Sequence, residues 1–491
     1  MYLSGIHSVF LNFNLNNVGY VGDWKMLKEI TKKAACAVVP CLDPDFVPAV
    51  LWDREFRKAV KASGKSRAII IAVERTPESV STFETVVFAD PTADERAANI
   101  RHVERLVKGM LWMRGGWKIT IAGDDTVAAD LSKIYSPSGE RAFDYEMMSR
   151  IYSNTMKVVS CAYDAAPKAV EPTKPLGRHM EGCRIGFDLG GSDRKCAALI
   201  DGKLVFSEEV PWDPYFQSDV NYHKDGINDT LKRAAAKLPR VDAIGGSSAG
   251  VYVNNRVRLA SLFRGIPQDQ FEAKVKDLFL EIAKDWKVPF EVVNDGEVTA
   301  LAGSMEMNAN SVLGISMGTS VAGGYVNPEG NITDWLNELA FVPVDYREGA
   351  PADEWSGDLG CAVQYFCQQG VARLAPLAGI ELPRDMKFAE QLKEVQKLME
   401  QGDERARKIF DSIGVCFGYT IARWSEFYNI EKLLILGRVT SGKGGDIILA
   451  RAADVLKSEF PEYAAKIEFR IPDEKSRRHG QAMAAASLPM I

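Results

Sequence analysis

Residues 184–200 read RIGFDLGGSDRKCAALI: an apolar strand ending on Asp188, a tight turn through Gly190, Gly191 and Ser192, and a second strand running back. A carboxylate at such a strand end can hold a water or Mg²⁺. The glycines let backbone N–H groups approach phosphate oxygens with no Cβ in the way, and Ser192 adds a hydroxyl donor. The same pattern also makes an ordinary hairpin connection. Downstream, Val292-Val293-Asn294-Asp295 ends another apolar run and opens a helical stretch over 296–306. An Asp placed there can accept the proton of a substrate hydroxyl, the base that phosphoryl transfer uses; its alternative is a cap on that helix. GISMGTSVAGGYV, residues 314–326, is a further strand-turn-strand that offers Gly318 and Thr319 to a terminal phosphate, or is a plain glycine-rich hairpin. Finally, the apolar run 433–436 leads into GRVTSGKGGD, whose small residues would let a nucleotide base lie against backbone.

These bends need strands and helices to bring them together. The chain has 491 residues, too many for one core, so at least two domains are expected and three are natural. A stretch at 165–182 with three prolines and alternating charges reads as a linker. Before it, residues 1–164 alternate helical patterns, such as 95–113, with β-rich runs at 68–73 and 118–122, a separate α/β domain of undefined role. Asp124 and Asp125 at the end of the second run read as a helix cap, with an acidic site as the alternative. After the linker, residues 183–293 form a first lobe and 294–491 a second, with the last helix expected to pack back on the first. Glycine-marked strand ends in the second lobe are read at 316–324, 355–361 and 433–445. Such units line a cleft between two α/β lobes.

Composition narrows the classes. With 46% hydrophobic residues and a formal charge of -6, no basic excess suggests a nucleic-acid partner. The N-terminus lacks a charged n-region with a clean apolar stretch, and nowhere do about eighteen apolar residues run together, so no membrane is expected and a cytoplasmic location is. Eight scattered cysteines without paired metal spacing fit reduced thiols and no zinc site.

Taken in order, these residues resemble the ROK group of sugar kinases, within the actin, hexokinase and Hsp70-like ATPase superfamily, over about 183–491. Asp188-Leu189-Gly190-Gly191-Ser192 looks like the family's first phosphate motif, D-L-G-G-T, and Gly246-Ser247-Ser248-Ala249-Gly250 like its G-x-x-P-G sugar loop. Asn294-Asp295 matches a sugar-contacting Asn and catalytic Asp, and Gly318-Thr319 the second phosphate motif. Asn337-Glu338 resembles the G-E pair whose Glu binds sugar hydroxyls, and Leu436-Gly437-Arg438 the adenosine-side L-G-G.

The resemblance implies a two-lobed ribonuclease H-like fold and ATP-dependent phosphorylation of a sugar hydroxyl. Asp295 would be the base, and Asp188 would carry Mg²⁺. Gly190, Gly191, Ser192, Gly318, Thr319, Gly437 and Arg438 would hold ATP, and Ser248, Gly250, Asn294 and Glu338 the sugar. A homodimer is a fair prior. Departures are equally visible. The family's zinc-binding His is Phe341 here, and its C-x-C-G-x-x-G-C motif is Glu354-Trp355-Ser356-Gly357-Asp358-Leu359-Gly360-Cys361, so the loop must be held by packing around Trp355 and Phe341. Asp193 and Glu297 are expected to add negative charge beside the phosphates. Those changes keep open the alternative of a weak or inactive ROK-fold sugar sensor. The helix-strand-helix order at 101–134 also repeats at 414–456, which suggests a worn duplication.

Overall fold

The computed structural model describes residues 24–171, 176–383, 385–471 and 474–491. The reading of the first residues as lacking a leader signature, and the middle of the 165–182 linker, residues 172–175, lie outside them.

Three α/β units follow along the chain. In the first, α1 (Lys25–Lys33) and α2 (Ala49–Ala62) precede the hairpin β1 (Ser66–Thr76) and β2 (Ser79–Phe88). Helix α3 (Ala93–Met113) follows, opened by a capping box in which Thr92 and Glu95 satisfy each other's backbone N–H groups. Then come β3 (Lys118–Ala122), α4 (Asp125–Ile134), α5 (Ala142–Tyr152) and β4 (Lys157–Cys161). Asp124 caps α4, accepting from Thr126 N and Val127 N at 3.0 Å, and pairs with Arg67 at 2.9 Å. Its acidity is therefore spent on structure.

The first lobe is a five-stranded sheet in the order β11-β8-β5-β6-β7. Strands β5 (Cys183–Leu189), β6 (Asp193–Ile200) and β7 (Lys203–Pro211) form an antiparallel meander. After α6 (Val220–Ala235), β8 (Ala243–Ser248) runs parallel to β5. The small hairpin β9 (Val251–Val253) and β10 (Arg256–Leu259) follows, then α7 (Leu278–Trp286), and β11 (Phe290–Asn294) runs parallel to β8. An antiparallel meander extended by two parallel strands on its first-strand side is the ribonuclease H-like arrangement.

In the second lobe, α8 (Asp295–Met307) leads to the hairpin β12 (Val312–Met317) and β13 (Val321–Val326). A long helix α9 (Glu404–Ser425), β14 (Lys432–Leu436), α10 (Lys443–Glu459) and β15 (Glu468–Arg470) complete a sheet in the order β13-β12-β14-β15. The last helix, α11 (Glu474–Ala486), carries Ala482, Ala485 and Ala486 into contact with first-lobe strands and α8.

Two readings from the sequence need correction. Residues 355–361 do not end a strand; they form a turn-rich loop tied by isolated bridges Ala352↔Leu359 and Pro343↔Cys361. The suspected duplication extends to the order of strands in the two sheets, but not to the direction of the central pair. The N-terminal sheet, ordered β2-β1-β3-β4, sets β3 antiparallel to β1, whereas β14 is parallel to β12. Helix-strand-helix order recurs widely, and strand direction separates a repeat from a coincidence.

One core runs through the N-terminal unit and the second lobe together. Trp52, Phe56, Leu106 and Trp112 from the former belong to the same buried cluster as Phe366, Phe417, Trp424 and Ile435 from the latter. The first lobe keeps its own core, centred on Phe187, Phe279 and Phe290.

Candidate active site

Parallel pairing aligns the chemistry at one edge of the first sheet. Leu189 lies opposite Ser248, and Ser248 opposite Asn294, so the carboxyl ends of β5, β8 and β11 stop level with one another. That edge is where open α/β sheets bind ligands. Asn294 caps α8, accepting from Gly296 N at 2.8 Å, while its side-chain amide donates to Gly250 O at 2.7 Å, joining the sugar loop to the Asp295 bend. Ser248 is buried and its hydroxyl meets Tyr252 Oη at 2.6 Å.

Asp295 sits half-buried at the first turn of α8. Burial first, and the neighbouring Asp188 second, push its carboxyl up to about 6, against the pull of Gly296 N–H. Glu338 is half-buried too, and burial followed by the charge of Asp295 pushes it up to about 7. Asp295 thus lies within electrostatic reach of both Asp188 and Glu338. Tyr252, raised by its burial, also feels Asp295.

On the phosphate side, Asp188 accepts from the Ser247 hydroxyl at 2.7 Å and lies 3.6 Å from the Lys195 ammonium. Burial nonetheless raises its carboxyl above the usual range. The turn after it is pinned by Trp212, whose indole donates to Gly190 O at 2.7 Å and whose N–H donates to Ser192 O at 3.1 Å. Ser192 is exposed, and its hydroxyl meets Asp193 at 2.9 Å. Gly318 and the exposed Thr319 form the β12–β13 turn, with Gln368 N donating to Gly318 O at 3.0 Å. Gly437, at φ 109°, lets the β14 loop run against Met317, where a Cβ would come within 2.4 Å of a carbonyl oxygen. Arg438 beside it is exposed.

The second hairpin can approach α8 only because of its glycines. A Cβ on Gly324 would lie 2.1 Å from Gly296 O, and one on Gly296 2.4 Å from Gly323 O. Asn337 takes φ 52°, which explains why the resembled motif has glycine there and why Asn is a workable replacement.

Several expectations change in detail. Glu297 does not face phosphates: it is buried, accepts from Asn337 Nδ2 at 3.1 Å, and is pushed up to about 8 by burial. Asp193 is met by Lys195 at 3.1 Å, so its charge is offset. Lys195 itself escaped the sequence reading. Its signal was the hairpin register, which sets it opposite Asp188. Trp355 is 54% exposed and holds nothing in place. Phe341 does pack, with its ring 4.3 Å from that of Trp112 and 5.6 Å from that of Phe143.

The loop is anchored through Asp358, which no motif announced. Its carboxylate receives Arg141 at 2.6 Å, Arg105 at 3.0 Å and Lys108 at 3.2 Å, all from the N-terminal unit and all buried. Burial opposes its ionisation, yet the charges of Arg105 and Lys108 hold it down at about 2. Glu104 and Asp144 balance the remaining cationic charge.

No protein-family profile matches the chain. A curated relative, the glucokinase of Halalkalibacterium halodurans, is 27% identical over 305 residues, covering 58% of this chain and 89% of the relative. Over the two lobes the chain is similar to ROK sugar kinases. Among solved structures, the ROK hexokinase of Thermus thermophilus is similar at 16% identity and a TM-score of 0.48, covering 62% of this chain and 97% of that one. A ROK family transcriptional regulator, a homologue of the E. coli MLC protein, is 17% identical with a TM-score of 0.48, covering 63% and 79% of the respective chains. About two fifths of this chain lie outside those similarities.

Proposed function

We propose that the protein transfers the terminal phosphoryl group of ATP to a hydroxyl of a sugar. The observation that carries this is the placement of Asp295, level with the Asp188 bend on one side and in electrostatic reach of Glu338 on the other. A proton acceptor is useful between a phosphate site and an alcohol site, and a carboxyl poised near 6 is ionised at neutral pH while still basic enough to take a proton. The kinship with a glucokinase supports the sugar as acceptor.

ATP with Mg²⁺ fits the residues present. A Cβ built on Gly318 would meet nothing within 4 Å, so space lies open above that turn, where the Thr319 hydroxyl is exposed; Ser192, exposed on its own turn, donates to Asp193. Gly190, Gly191, Ser192, Gly318 and Thr319 would hold the phosphates, Asp188 the metal through the carboxylate oxygen that now faces Lys195, and Gly437 with Arg438 the adenosine side. The nucleotide supplies the phosphoryl group. This chain's own part is to orient the sugar hydroxyl through Ser248, Gly250, Asn294 and Glu338, to take its proton on Asp295, and to exclude water as the lobes close. Lys195 holds the carboxylates of Asp188 and Asp193 in place. In the ROK fold the small-molecule sugar is the partner; a cytoplasmic location and a homodimer belong to the same reading, and among the described residues no helix is long and apolar enough to cross a membrane.

The test is an ATP-consumption screen against hexoses, amino sugars and polyols, with product mass read directly. A sugar phosphate supports the kinase; sugar binding without transfer supports the sensor; ATP hydrolysis without a sugar product would refute both.

A further inference from the structure

The helix α3 ends inside the acceptor site. The final carbonyls of a helix have no intrahelical partners and must be satisfied from outside. Here the residues that satisfy them are those carrying the sugar-side carboxylate: Leu336 N donates to Arg114 O at 3.3 Å, Asn337 N to Met113 O at 3.0 Å and Glu338 N to Trp112 O at 2.9 Å. A few residues on, Ala49 N donates to Val344 O at 3.0 Å and Tyr346 N to Val47 O at 2.9 Å, so the N-terminal unit grips this segment at both ends. Between the two grips, Phe341 packs at a tilt against Trp112, whose indole N–H is fixed by Asp144 at 2.6 Å. The neighbouring loop is clipped to the same helix through Asp358, with Arg105 and Lys108 both on α3.

We infer that the N-terminal unit positions Glu338, and that Trp112 is the positioning residue through which α3 sets the fit of the acceptor sugar. The unit is then part of the sugar site. This rests on the kinase reading. Trp112 touches no substrate; it fixes the backbone from which Glu338 reaches one, and a small displacement of a substrate-orienting group is felt strongly in turnover.

The full-length protein carrying Trp112→Ala tests it, with D-glucose, or the hexose of the screen turned over fastest, as acceptor. The acceptor KM should rise about tenfold or more while the KM for ATP stays within about twofold, and Trp112→Phe, which keeps a ring against Phe341, should recover most of the loss. Amide hydrogen exchange at Asn337 and Glu338 should quicken in Trp112→Ala, a readout independent of turnover. Unchanged exchange at those amides overturns the inference whether or not the protein is a kinase. Faster exchange with an unaltered acceptor KM, or a lowered melting temperature alone, overturns it as well. Should Trp112→Ala fail to fold, Phe341→Ala probes the same contact from the other side, with the same expected and contrary results. A wild type that binds the hexose without phosphorylating it overturns the kinase reading alone, and the hexose Kd then replaces KM.

Discussion

At the residue scale, Asp295 works as a base only when ionised. With its carboxyl pushed up to about 6, it is protonated below that value and ionised above, so kcat/KM should climb with pH and level off above about 6. Asp295→Asn should remove that limb and lower transfer by roughly 10²- to 10⁴-fold, the general range for acid–base catalysis, with ATP affinity kept. Asp188 is one of the two causes of the raised value, and Asp188→Asn should therefore move any residual limb to lower pH; a pH–rate profile checks both. The motif residues were legible because each needs a particular letter at a strand end or turn. Lys195 and Tyr252 were not, since a lysine or tyrosine on a strand announces nothing until the register shows what lies opposite. Asn337 could be placed by resemblance, but its role as a left-handed turn residue bonded to Glu297 and to Tyr428, at 2.9 Å, needed coordinates.

Elements bring two predictions about stability. The Asp358 clip joins a loop to a helix through three cations in a buried setting, and removing one partner of such a group leaves charge uncompensated. Asp358→Asn should cost about 3–5 kcal/mol in chemical denaturation, far more than the loss of an exposed pair. Its held-down carboxyl makes this contribution in full above the unfolded value near 4, and the contribution is lost as pH falls from there through about 2. Glu297 has the opposite sign. Raised to about 8, it binds a proton in the folded state that the unfolded chain has released, so its contribution is present below its unfolded value of about 4.5 and lost as pH rises through 8. The melting temperature of Glu297→Gln should depend less steeply on pH between about 5 and 8 than that of the wild type. From sequence, strands β3, β5 and β14 and helices α3 and α8 could be recognised by apolar periodicity and turn chemistry. The 354–361 loop was misread because its partners lie more than two hundred residues earlier, and local patterning carries no information about an ion pair across that distance.

Across the whole molecule, the two-lobed fold follows from the order of the bends, while the joining of the N-terminal unit to the second lobe does not. That union is a shared apolar core, built from Trp52, Phe56 and Trp112 on one side and Phe417 and Trp424 on the other. Apolar periodicity says that a face is buried and not against what. Deletion of residues 1–164 should consequently leave a second lobe that exposes this core and aggregates; a soluble, cooperatively folding fragment would show the unit to be an appendage. The purified full chain should carry far less than one zinc per molecule by elemental analysis, because no group of three or more His, Cys, Asp or Glu among the described residues could hold a metal ion. The most direct measurement is product analysis with the wild type and Asp295→Asn side by side, given MgATP and the hexose panel. The account predicts a sugar phosphate from the wild type and almost none from the variant at equal ATP affinity; equal turnover by the two would contradict it.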